Sequence, residues 1–419
     1  MQMAKFIVEG GKKLKGTITV SGSKNAALPI ICAALLADGE TELKNVPDIS
    51  DIHSMIKVLE FLGCKVKFAN HTVTINPKYL KNDYIPGDLV CKMRASILLL
   101  GPLLARFGKA NMSFPGGCVL GKRSVDAHLT GLKELGCKVI DDKQNLNLAT
   151  GGLKSADIVM PEISVTATEN VVMAACLAKG KTILRLSAAE PHVQDMCKFL
   201  NKCGAKIKGI GSHELVIEGV KKLKACQYSI CGDYLEAGTY AIAAAITEGD
   251  VLIKGINPHD LDSFLQGLCE AGVKYKLGKN FIHMLPSKNF KAIAKVRTAV
   301  YPSFPTDLQA PFAVLLTQAE GESKIYETLF EGRLNYLFEL EKMGAKFEIL
   351  NPHQAVIRGP KKLKGVPISS WDIRAGAAMI LAALIAKGTT EISNIEYIDR
   401  GYEKIEEKFR KLGAIIKRV

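Results

Sequence analysis

A repeat of 68 to 73 residues runs through the whole chain and limits the folds open to it. One marker is a glycine between a helix-like and a strand-like segment, which recurs at Gly63, Gly136, Gly204, Gly272, Gly344 and Gly413. A second marker follows an Ala- and Leu-rich segment and recurs at Gly39, Gly108, Gly180, Gly249, Gly321 and Gly388. Self-similarity at a fixed period is typical of one supersecondary unit used repeatedly. The sequence therefore predicts six copies of one unit.

Each copy reads as strand, helix, strand, helix and β-hairpin. The first strand is represented by 17–20, 156–160, 227–230 and 295–300. The first helix, such as 26–37 or 375–386, is apolar on every side, which predicts a buried helix ended by a left-handed glycine. The second helix, such as 48–62, is amphipathic, and the hairpin follows it. The pattern predicts six βαβαββ units and an α/β (α+β) fold.

Six units in 419 residues exceed one ordinary core and divide naturally into two domains of three units. We expect the first domain to span 21–228 and the second to combine 1–20 with 229–419. The chain stops before the last hairpin is complete. A strand-like segment at 5–9 could supply the missing strand and tie the N-terminus into the second domain.

Composition excludes several classes of protein. A hydrophobic share of 47% with 23% charged residues is typical of a globular chain, and no apolar run reaches the length of a membrane span. Eleven cysteines without Cys-x-x-Cys spacing favour a reducing cytoplasm over a disulfide framework. The dispersed histidines predict no metal site, and we expect no cofactor. The net charge of +14 lies in short clusters, so we expect small anionic ligands, with no nucleic acid, membrane or obligate protein partner.

The most unusual stretch is the loop 114–128, which holds Pro115, three glycines, Cys118 and the basic pair Lys122 and Arg123. This glycine content excludes a helix or a strand interior. Neighbouring positive charge lowers the pKa of a thiol and makes it reactive. Cys118 is therefore a candidate reactive residue. The alternative is a glycine-rich connector that happens to contain a cysteine.

Polar residues that a core does not need mark the first strand-to-helix junctions. They are Lys24, Asn25, Arg94, Ser164, Thr166, Asp233, Glu236, Asp307, Asp372 and Arg374. Helix N-termini favour anions, so these junctions predict an anion site. The alternative is that Asp233, Thr306 or Asp307, and Ser370 or Asp372 are helix caps. Capping does not explain Lys24, Arg94 or Arg374. The second junctions add Arg123, Arg333 and Arg400, which are suited to carboxylate or phosphate.

Six short motifs resemble those of one enzyme family. They are 21–29 (Ser-Gly-Ser-Lys-Asn-Ala-Ala-Leu-Pro), 94–97 (Arg-Ala-Ser-Ile), 115–118 (Pro-Gly-Gly-Cys), 304–307 (Phe-Pro-Thr-Asp), 372–375 (Asp-Ile-Arg-Ala) and 398–402 (Ile-Asp-Arg-Gly-Tyr). The chain resembles the UDP-N-acetylglucosamine enolpyruvyl transferases essentially from end to end. The resemblance implies two pseudo-threefold domains (inverted barrels) of three units each, with a cleft between them. It also implies transfer of the enolpyruvyl group of phosphoenolpyruvate to the 3′-hydroxyl of UDP-N-acetylglucosamine, at the start of peptidoglycan precursor synthesis.

The resemblance also implies residue roles. Cys118 matches a proton donor on a lid, and Asp307 matches a carboxylate near the sugar hydroxyl. Lys24, Arg123 and Arg400 match phosphate-side cations, and Arg333 and Arg374 match the carboxylate side. The expected substrate-binding residues are Asn25, Arg94, Ser124, Val125, Ala127, Asp126, His128, Ser164, Val165, Asp233, Leu329, Arg333, Asp372 and Arg374.

Three positions depart from the family pattern. Ser124 replaces a common proline, and Glu162 and Thr166 stand where a lysine and a glycine are common. A carboxylate at 162 would oppose a diphosphate. The alternatives are enolpyruvyl transfer to shikimate phosphate, and a non-catalytic RNA-binding or regulatory protein of the same fold. The lid cysteine opposes the first, and the acidic residues at the junctions oppose RNA.

Overall fold

The computed structural model describes residues 4–91, 93–116, 124–140 and 145–419. The described residues form two compact units. The first compact unit consists of the described residues between Gly22 and Cys231. The second compact unit consists of residues 4–21 and 232–419.

Within its described residues, the first compact unit contains two four-stranded sheets, one three-stranded sheet and one two-stranded pair. In spatial order, the strands of the four-stranded sheets are Gln227–Ser229, Thr41–Lys44, Thr72–Asn76 and Lys65–Ala69, then Asp157–Val159, Lys181–Arg185, Glu214–Glu218 and Lys206–Lys208. The three-stranded sheet holds Lys109–Ser113, Asn145–Ala149 and Lys138–Ile140, and the pair holds Leu223–Lys224 and Ala37–Asp38.

Buried helices occupy the middle of the first compact unit. The helix Lys24–Ala33 is capped by Ser23 and is buried from Ala26 onwards, because its residues are Ala, Leu, Ile, Pro and Cys. It packs on the 3₁₀ helix Arg94–Leu99, which also contacts Val165–Ala175. The remaining helices are Ala34–Leu36 (3₁₀), Ser50–Phe61, Gly87–Val90, Leu100–Phe107, Asp126–Glu134 and Pro191–Lys202.

The second compact unit contains three four-stranded sheets. In spatial order, their strands are Ile368–Ser369, Thr389–Ser393, Phe6–Glu9 and Ile415–Arg418; Tyr275–Gly278, Phe281–Met284, Asp250–Lys254 and Lys15–Thr19; and Val296–Arg297, Gly321–Tyr326, Gln354–Gly359 and Lys346–Asn351.

Three buried helices, Tyr234–Ile246, Gln309–Leu316 and Ile373–Ile385, pack against one another inside these sheets. Their near-continuous apolar sequences leave no polar face to place in water. The other helices are Pro258–Leu261 (3₁₀), Asp262–Glu270, Thr306–Leu308 (3₁₀), Leu337–Lys342, Glu396–Asp399 and Ile405–Lys411. The architecture confirms the predicted α/β fold of repeated units.

The six glycines of the first series share one backbone conformation, which explains why glycine recurs at these positions. All six members have φ between +80° and +103°, a region that favours glycine. The second series is less uniform than predicted. Gly108 is a left-handed helix cap, but Gly39 lies beyond the end of its helix. The predicted cap at Gly249 is wrong, because Glu248 takes the left-handed conformation there. A Cβ at Gly249 would lie 2.5 Å from the carbonyl oxygen of Leu14, so close backbone approach explains this glycine.

Two strands are exchanged between repeats. The strand Lys15–Thr19 of the first repeat pairs in parallel with Asp250–Lys254 of the fourth. The strand Gln227–Ser229 of the fourth repeat pairs in parallel with Thr41–Lys44 of the first. The third, fifth and sixth repeats instead pair their own first and second strands. At these two places a sheet is therefore completed by a strand from another repeat.

The N-terminal strand Phe6–Glu9 lies between Thr389–Ser393 and Ile415–Arg418 and is antiparallel to both. This confirms the prediction that the N-terminus completes the last repeat. In the part of the chain that the structure describes, no helix has the length and apolar character needed to cross a membrane.

Candidate active site

Three charged side chains meet where the buried helices of the second compact unit begin. Asp307 precedes Gln309–Leu316, and Arg374 is the second residue of Ile373–Ile385. The Nη2 of Arg333 donates to Oδ1 of Asp307 at 2.7 Å, and the Nε of Arg374 donates to Oδ2 at 3.2 Å. Each carboxylate oxygen thus binds a different arginine. The fold brings together three of the predicted site residues.

Both arginines are buried cations. The side chains of Arg333 and Arg374 are 5% and 4% exposed, whereas that of Asp307 is 27% exposed. Burial acts to lower the pKa of Arg333, but the carboxylates of Asp307, Asp372 and Glu327 outweigh it and raise the pKa. Burial likewise opposes the charge of Arg374, and its surroundings, with Tyr402 and Asp307 foremost, raise its pKa. The cluster therefore keeps two positive charges in a largely dry environment.

Capping explains two of the predicted acidic residues. The carboxylate of Asp233 accepts from the backbone N–H groups of Leu235 and Glu236. That of Asp372 accepts from the N–H groups of Arg374 and Ala375. These are the helix-cap contacts that the alternative interpretation expected. Asp307 differs, because its described side-chain partners are arginines.

The aromatic ring of Tyr402 packs against the guanidinium group of Arg374. The guanidinium carbon lies 5.2 Å from the ring centroid, and the ring is buried. Arg400 precedes it by two residues, ends the helix Glu396–Asp399 and is partly exposed. The segment that contains Arg400 is thus anchored beside the Arg374 side of the cluster.

Two contributors to this cluster are absent from the predicted site residues. The hydroxyl of Thr306 accepts from Nη1 of Arg333, and Glu327 accepts from Thr306, from the N–H of Leu329 and from that of Phe330. Thr306 entered the sequence analysis only as a possible cap. The one signal for Glu327 is its place directly after the strand Gly321–Tyr326, where the chain leaves the sheet. Leu329, a predicted substrate contact, is exposed.

His128, a predicted residue of the first compact unit, is held by neutral hydrogen bonds. His128 is buried, with Nε2 3.0 Å from Oγ1 of Thr166 and Nδ1 2.9 Å from Nδ2 of Asn170. Burial, assisted by the charge of Arg94, lowers the pKa of His128 to about 3. The ring is therefore neutral at physiological pH. Asn170, which the sequence analysis did not predict, also donates to Ile97 and accepts from Gly101.

Hydrogen bonds also shape the backbone around Arg94. Its Nη2 donates to the carbonyl oxygen of Ser124 at 2.7 Å. The hydroxyl of Ser124 accepts from the N–H of Asp126, which begins the helix Asp126–Glu134. Ser124 therefore replaces the rigidity of a proline with a local hydrogen bond. Val125 and Ala127 are buried beside it.

Lys24 begins the helix Lys24–Ala33, and its Nζ lies 3.5 Å from Oδ2 of Asp51. Asn25 follows it and is partly buried. Ser164 and Val165 are partly buried at the start of Val165–Ala175. Cys118, Lys122 and Arg123 lie outside the described residues, so their predicted roles stay predictions. Across the described ranges, no three His, Cys, Asp or Glu side chains come together as a metal site.

One of the two buried guanidinium groups has a hydrogen-bond donor that no described residue uses. Within the described residues, Nη1 of Arg374 has no hydrogen-bond acceptor. A buried N–H of a cation without an acceptor costs free energy, so an anion that reached this atom would be bound favourably. The arrangement is suited to a carboxylate or a phosphate next to Asp307.

Comparison with known proteins shows the family of the chain. The family model for EPSP synthase (3-phosphoshikimate 1-carboxyvinyltransferase) matches residues 8–409. The chain therefore belongs to this family of enolpyruvyl (1-carboxyvinyl) transferases.

Full-length relatives narrow the class. The UDP-N-acetylglucosamine 1-carboxyvinyltransferase of Methylacidiphilum infernorum (isolate V4) is 45% identical over 420 residues, which cover 100% of this chain and 99% of the relative. The enzyme of the same name from Desulfatibacillum aliphaticivorans is 46% identical over 417 residues, with 100% of both chains covered.

Solved structures agree on the fold. The enolpyruvyl transferase NikO from Streptomyces tendae has a TM-score of 0.90 at 24% identity and covers 100% of this chain and 99% of its own. EPSP synthase from Acinetobacter baumannii has a TM-score of 0.78 at 20% identity, with 100% of both chains covered. At these identities the likeness describes the fold alone.

Proposed function

We propose that this protein transfers the enolpyruvyl group of phosphoenolpyruvate to the 3′-hydroxyl of UDP-N-acetylglucosamine and releases phosphate. The end-to-end similarity to relatives that carry this activity in their names supports the proposal. The reaction would be the first step of peptidoglycan precursor synthesis in the cytoplasm. The ten cysteines in the described ranges are all free thiols, which is compatible with a reducing compartment.

The observation that carries the proposal is the cluster of Asp307, Arg333 and Arg374. A buried guanidinium with an N–H lacking an acceptor is complementary to the carboxylate of phosphoenolpyruvate. Arg333 and Arg374 would hold that carboxylate while the reacting double bond lies beside them. Because both cations are fixed by the fold, little rearrangement is needed when charge develops in the transition state.

Asp307 would orient the sugar hydroxyl. A carboxylate oxygen can accept more than one hydrogen bond, and Arg333 and Arg374 donate to the two oxygens of Asp307. The 3′-hydroxyl can donate to one of these as its oxygen attacks carbon 2 of phosphoenolpyruvate. A proton is added to carbon 3 in the same addition. Loss of phosphate and of a proton from carbon 3 then restores the double bond.

The remaining roles rest on the family resemblance. Cys118 would supply the proton to carbon 3, and Lys24, Arg123 and Arg400 would neutralise the phosphate. Asn25, Arg94, Leu329 and the residues 124–128 would surround the UDP-sugar. The buried, neutral His128 would act there by holding Thr166 and Asn170 in place rather than by exchanging a proton.

Phosphate release tests the proposal directly. The protein is incubated with phosphoenolpyruvate together with UDP-N-acetylglucosamine, with shikimate 3-phosphate, or with neither acceptor. We expect release only with the UDP-sugar, and almost none from Cys118→Ser with the same substrates. Release with neither acceptor would indicate simple hydrolysis and would contradict the proposed transfer.

Shikimate 3-phosphate is the second candidate acceptor because the matching family model is described as EPSP synthase. The full-length relatives at 45% identity and the cysteine in the 114–128 loop favour the UDP-sugar. Faster release with shikimate 3-phosphate than with UDP-N-acetylglucosamine would reverse this assignment.

A further inference from the structure

The hydroxyl of Thr306 lies between a buried cation and a buried anion. Its Oγ1 is 2.8 Å from Nη1 of Arg333 and 2.8 Å from Oε2 of Glu327. A guanidinium can only donate, so the hydroxyl oxygen must accept from Arg333. The hydroxyl proton is then donated to Glu327. The direction of both hydrogen bonds is therefore fixed.

Glu327 reaches the same arginine by a second route. Its Oε1 accepts from the N–H groups of Leu329 at 3.0 Å and Phe330 at 3.3 Å. The guanidinium carbon of Arg333 lies 5.2 Å from the centroid of the Phe330 ring. One carboxylate therefore fixes a hydrogen-bonding partner and an aromatic neighbour of Arg333.

Burial makes these contacts consequential. Glu327 is 0% exposed, and a buried carboxylate is costly unless hydrogen bonds and opposite charge compensate for it. The described hydrogen bonds to the Glu327 carboxylate come from the hydroxyl of Thr306 and from two backbone N–H groups. Arg333 is a nearby opposite charge, because Asp307, Asp372 and Glu327 together raise its pKa. Removing the hydroxyl of Thr306 breaks the connection without removing either charge.

We propose that Glu327 and Thr306 act together as positioning residues for the reaction. They hold the Arg333 guanidinium at the angle from which it fixes Asp307, and neither needs to contact substrate. The inference rests on the proposed function of the Asp307 cluster. The hydrogen bonds that connect Arg333, Thr306 and Glu327 act on the alignment of the reacting groups. Their loss therefore lowers kcat and leaves the KM for the UDP-sugar nearly unchanged.

The first test compares Thr306→Val with Thr306→Ser in the phosphate-release assay. Valine has nearly the shape of threonine but can neither accept from Arg333 nor donate to Glu327. Serine keeps both hydrogen bonds. We expect Thr306→Val to lower kcat about 10- to 100-fold and Thr306→Ser to lower it less than about threefold, because two hydrogen bonds to charged groups are lost in one and kept in the other. The KM for UDP-N-acetylglucosamine should change less than about twofold in both.

A double-mutant cycle tests whether the effects of Thr306 and Glu327 on kcat are coupled. Glu327→Gln keeps an acceptor for the N–H groups of Leu329 and Phe330 but turns a donor toward Thr306. If the residues act through each other, Thr306→Val combined with Glu327→Gln lowers kcat no more than the more severe single change. Losses that multiply would mean independent effects and would overturn the proposal.

Thermal unfolding of each variant shows whether it is folded, and Thr306→Ala replaces Thr306→Val if the larger side chain prevents folding. If the wild type is active and the folded Thr306 variant has an unchanged kcat, the positioning role alone is overturned. A wild-type protein that releases no phosphate with either acceptor overturns the proposed function, and the inference with it.

Discussion

Asp307 in the second compact unit and His128 in the first are held in place by different forces. In the second compact unit, Asp307 lies between two buried guanidinium groups, and charge fixes the geometry. In the first, neutral His128 is bound on both ring nitrogens, and hydrogen bonds fix the geometry. Charged predicted residues also lie in the first unit, where Lys24 is 3.5 Å from Asp51 and Arg94 donates to the carbonyl oxygen of Ser124. The comparison shows that a predicted site residue can be fixed either by charge or by neutral hydrogen bonds alone.

Two buried glutamates show the same contrast. Glu327 in the second compact unit is tied to a cation through Thr306. Glu169 in the first is equally buried but lies near another acid, Glu190, and burial followed by that neighbour raises its pKa well above the ordinary value. Burial and the neighbouring Glu190 thus both favour the neutral form of Glu169. The same residue type is connected to a cation through a hydroxyl in one unit and lies near another carboxyl group in the other.

The largest expected effect comes from removing the central charge of the second unit. Asp307→Asn leaves Arg333 and Arg374 without their shared anion and replaces one acceptor by a donor. We expect kcat to fall at least about 100-fold, as for loss of a preorganised electrostatic contact. Affinity for UDP-N-acetylglucosamine, measured by calorimetry, should change less than about threefold.

Asp262→Asn is the control, because that carboxylate is exposed in the first turn of another helix. Equal losses of rate and affinity in Asp307→Asn, or no loss of either, would reduce Asp307 to a structural residue.

A smaller effect should follow from the neutral histidine of the first unit. The pKa of His128 is about 3 in the folded protein, against about 6.5 when unfolded. Between these values the unfolded chain binds the extra proton, so stability falls as pH falls from about 6.5 toward 3. His128→Gln removes this dependence. Between pH 7 and pH 5 the wild type should lose about 2 kcal/mol more unfolding free energy than the variant.

Urea unfolding at the two pH values measures this difference. His259→Gln is the matched control, because that side chain is 75% exposed. If His128→Gln keeps the pH dependence of the wild type, the ring is not held neutral by the fold.

The smallest expected effect concerns Glu169. Because folding raises the pKa of this carboxyl, its contribution to stability is fully present below the unfolded pKa of about 4.3 and is lost as pH rises. Glu169→Gln keeps the shape and has no proton to lose. As pH rises from 5 to 6, the variant should gain unfolding free energy relative to wild type.

The exposed Glu214 provides the control variant, Glu214→Gln, in the same urea titrations. An advantage of Glu169→Gln that shrinks with rising pH would contradict the contrast between the two glutamates. Phosphate release should be unaffected by Glu169→Gln.

Local chemistry explains which parts of the site the sequence could predict. The caps at Asp233 and Asp372 depend only on a carboxylate two or three residues before free N–H groups, which a linear pattern contains. Arginine is rare at the start of a helix, so Arg94 and Arg374 are conspicuous in the sequence. Glu327 and Asn170 do not stand out, because a polar residue just after a strand or inside a helix becomes functional only through its tertiary partners. Their partners Arg333 and His128 are brought to them by packing.

The sequence by itself determined the repeated unit, since hydrophobic periodicity and left-handed glycines act within a few residues. It also indicated that Phe6–Glu9 completes the last sheet, because one repeat lacked a strand. Only the tertiary structure decided which sheet receives Lys15–Thr19 and which receives Gln227–Ser229. The first strands of the first and fourth repeats occupy equivalent places, and backbone hydrogen bonds do not distinguish equivalent strands. The exchange is fixed by the packing of each compact unit as a whole.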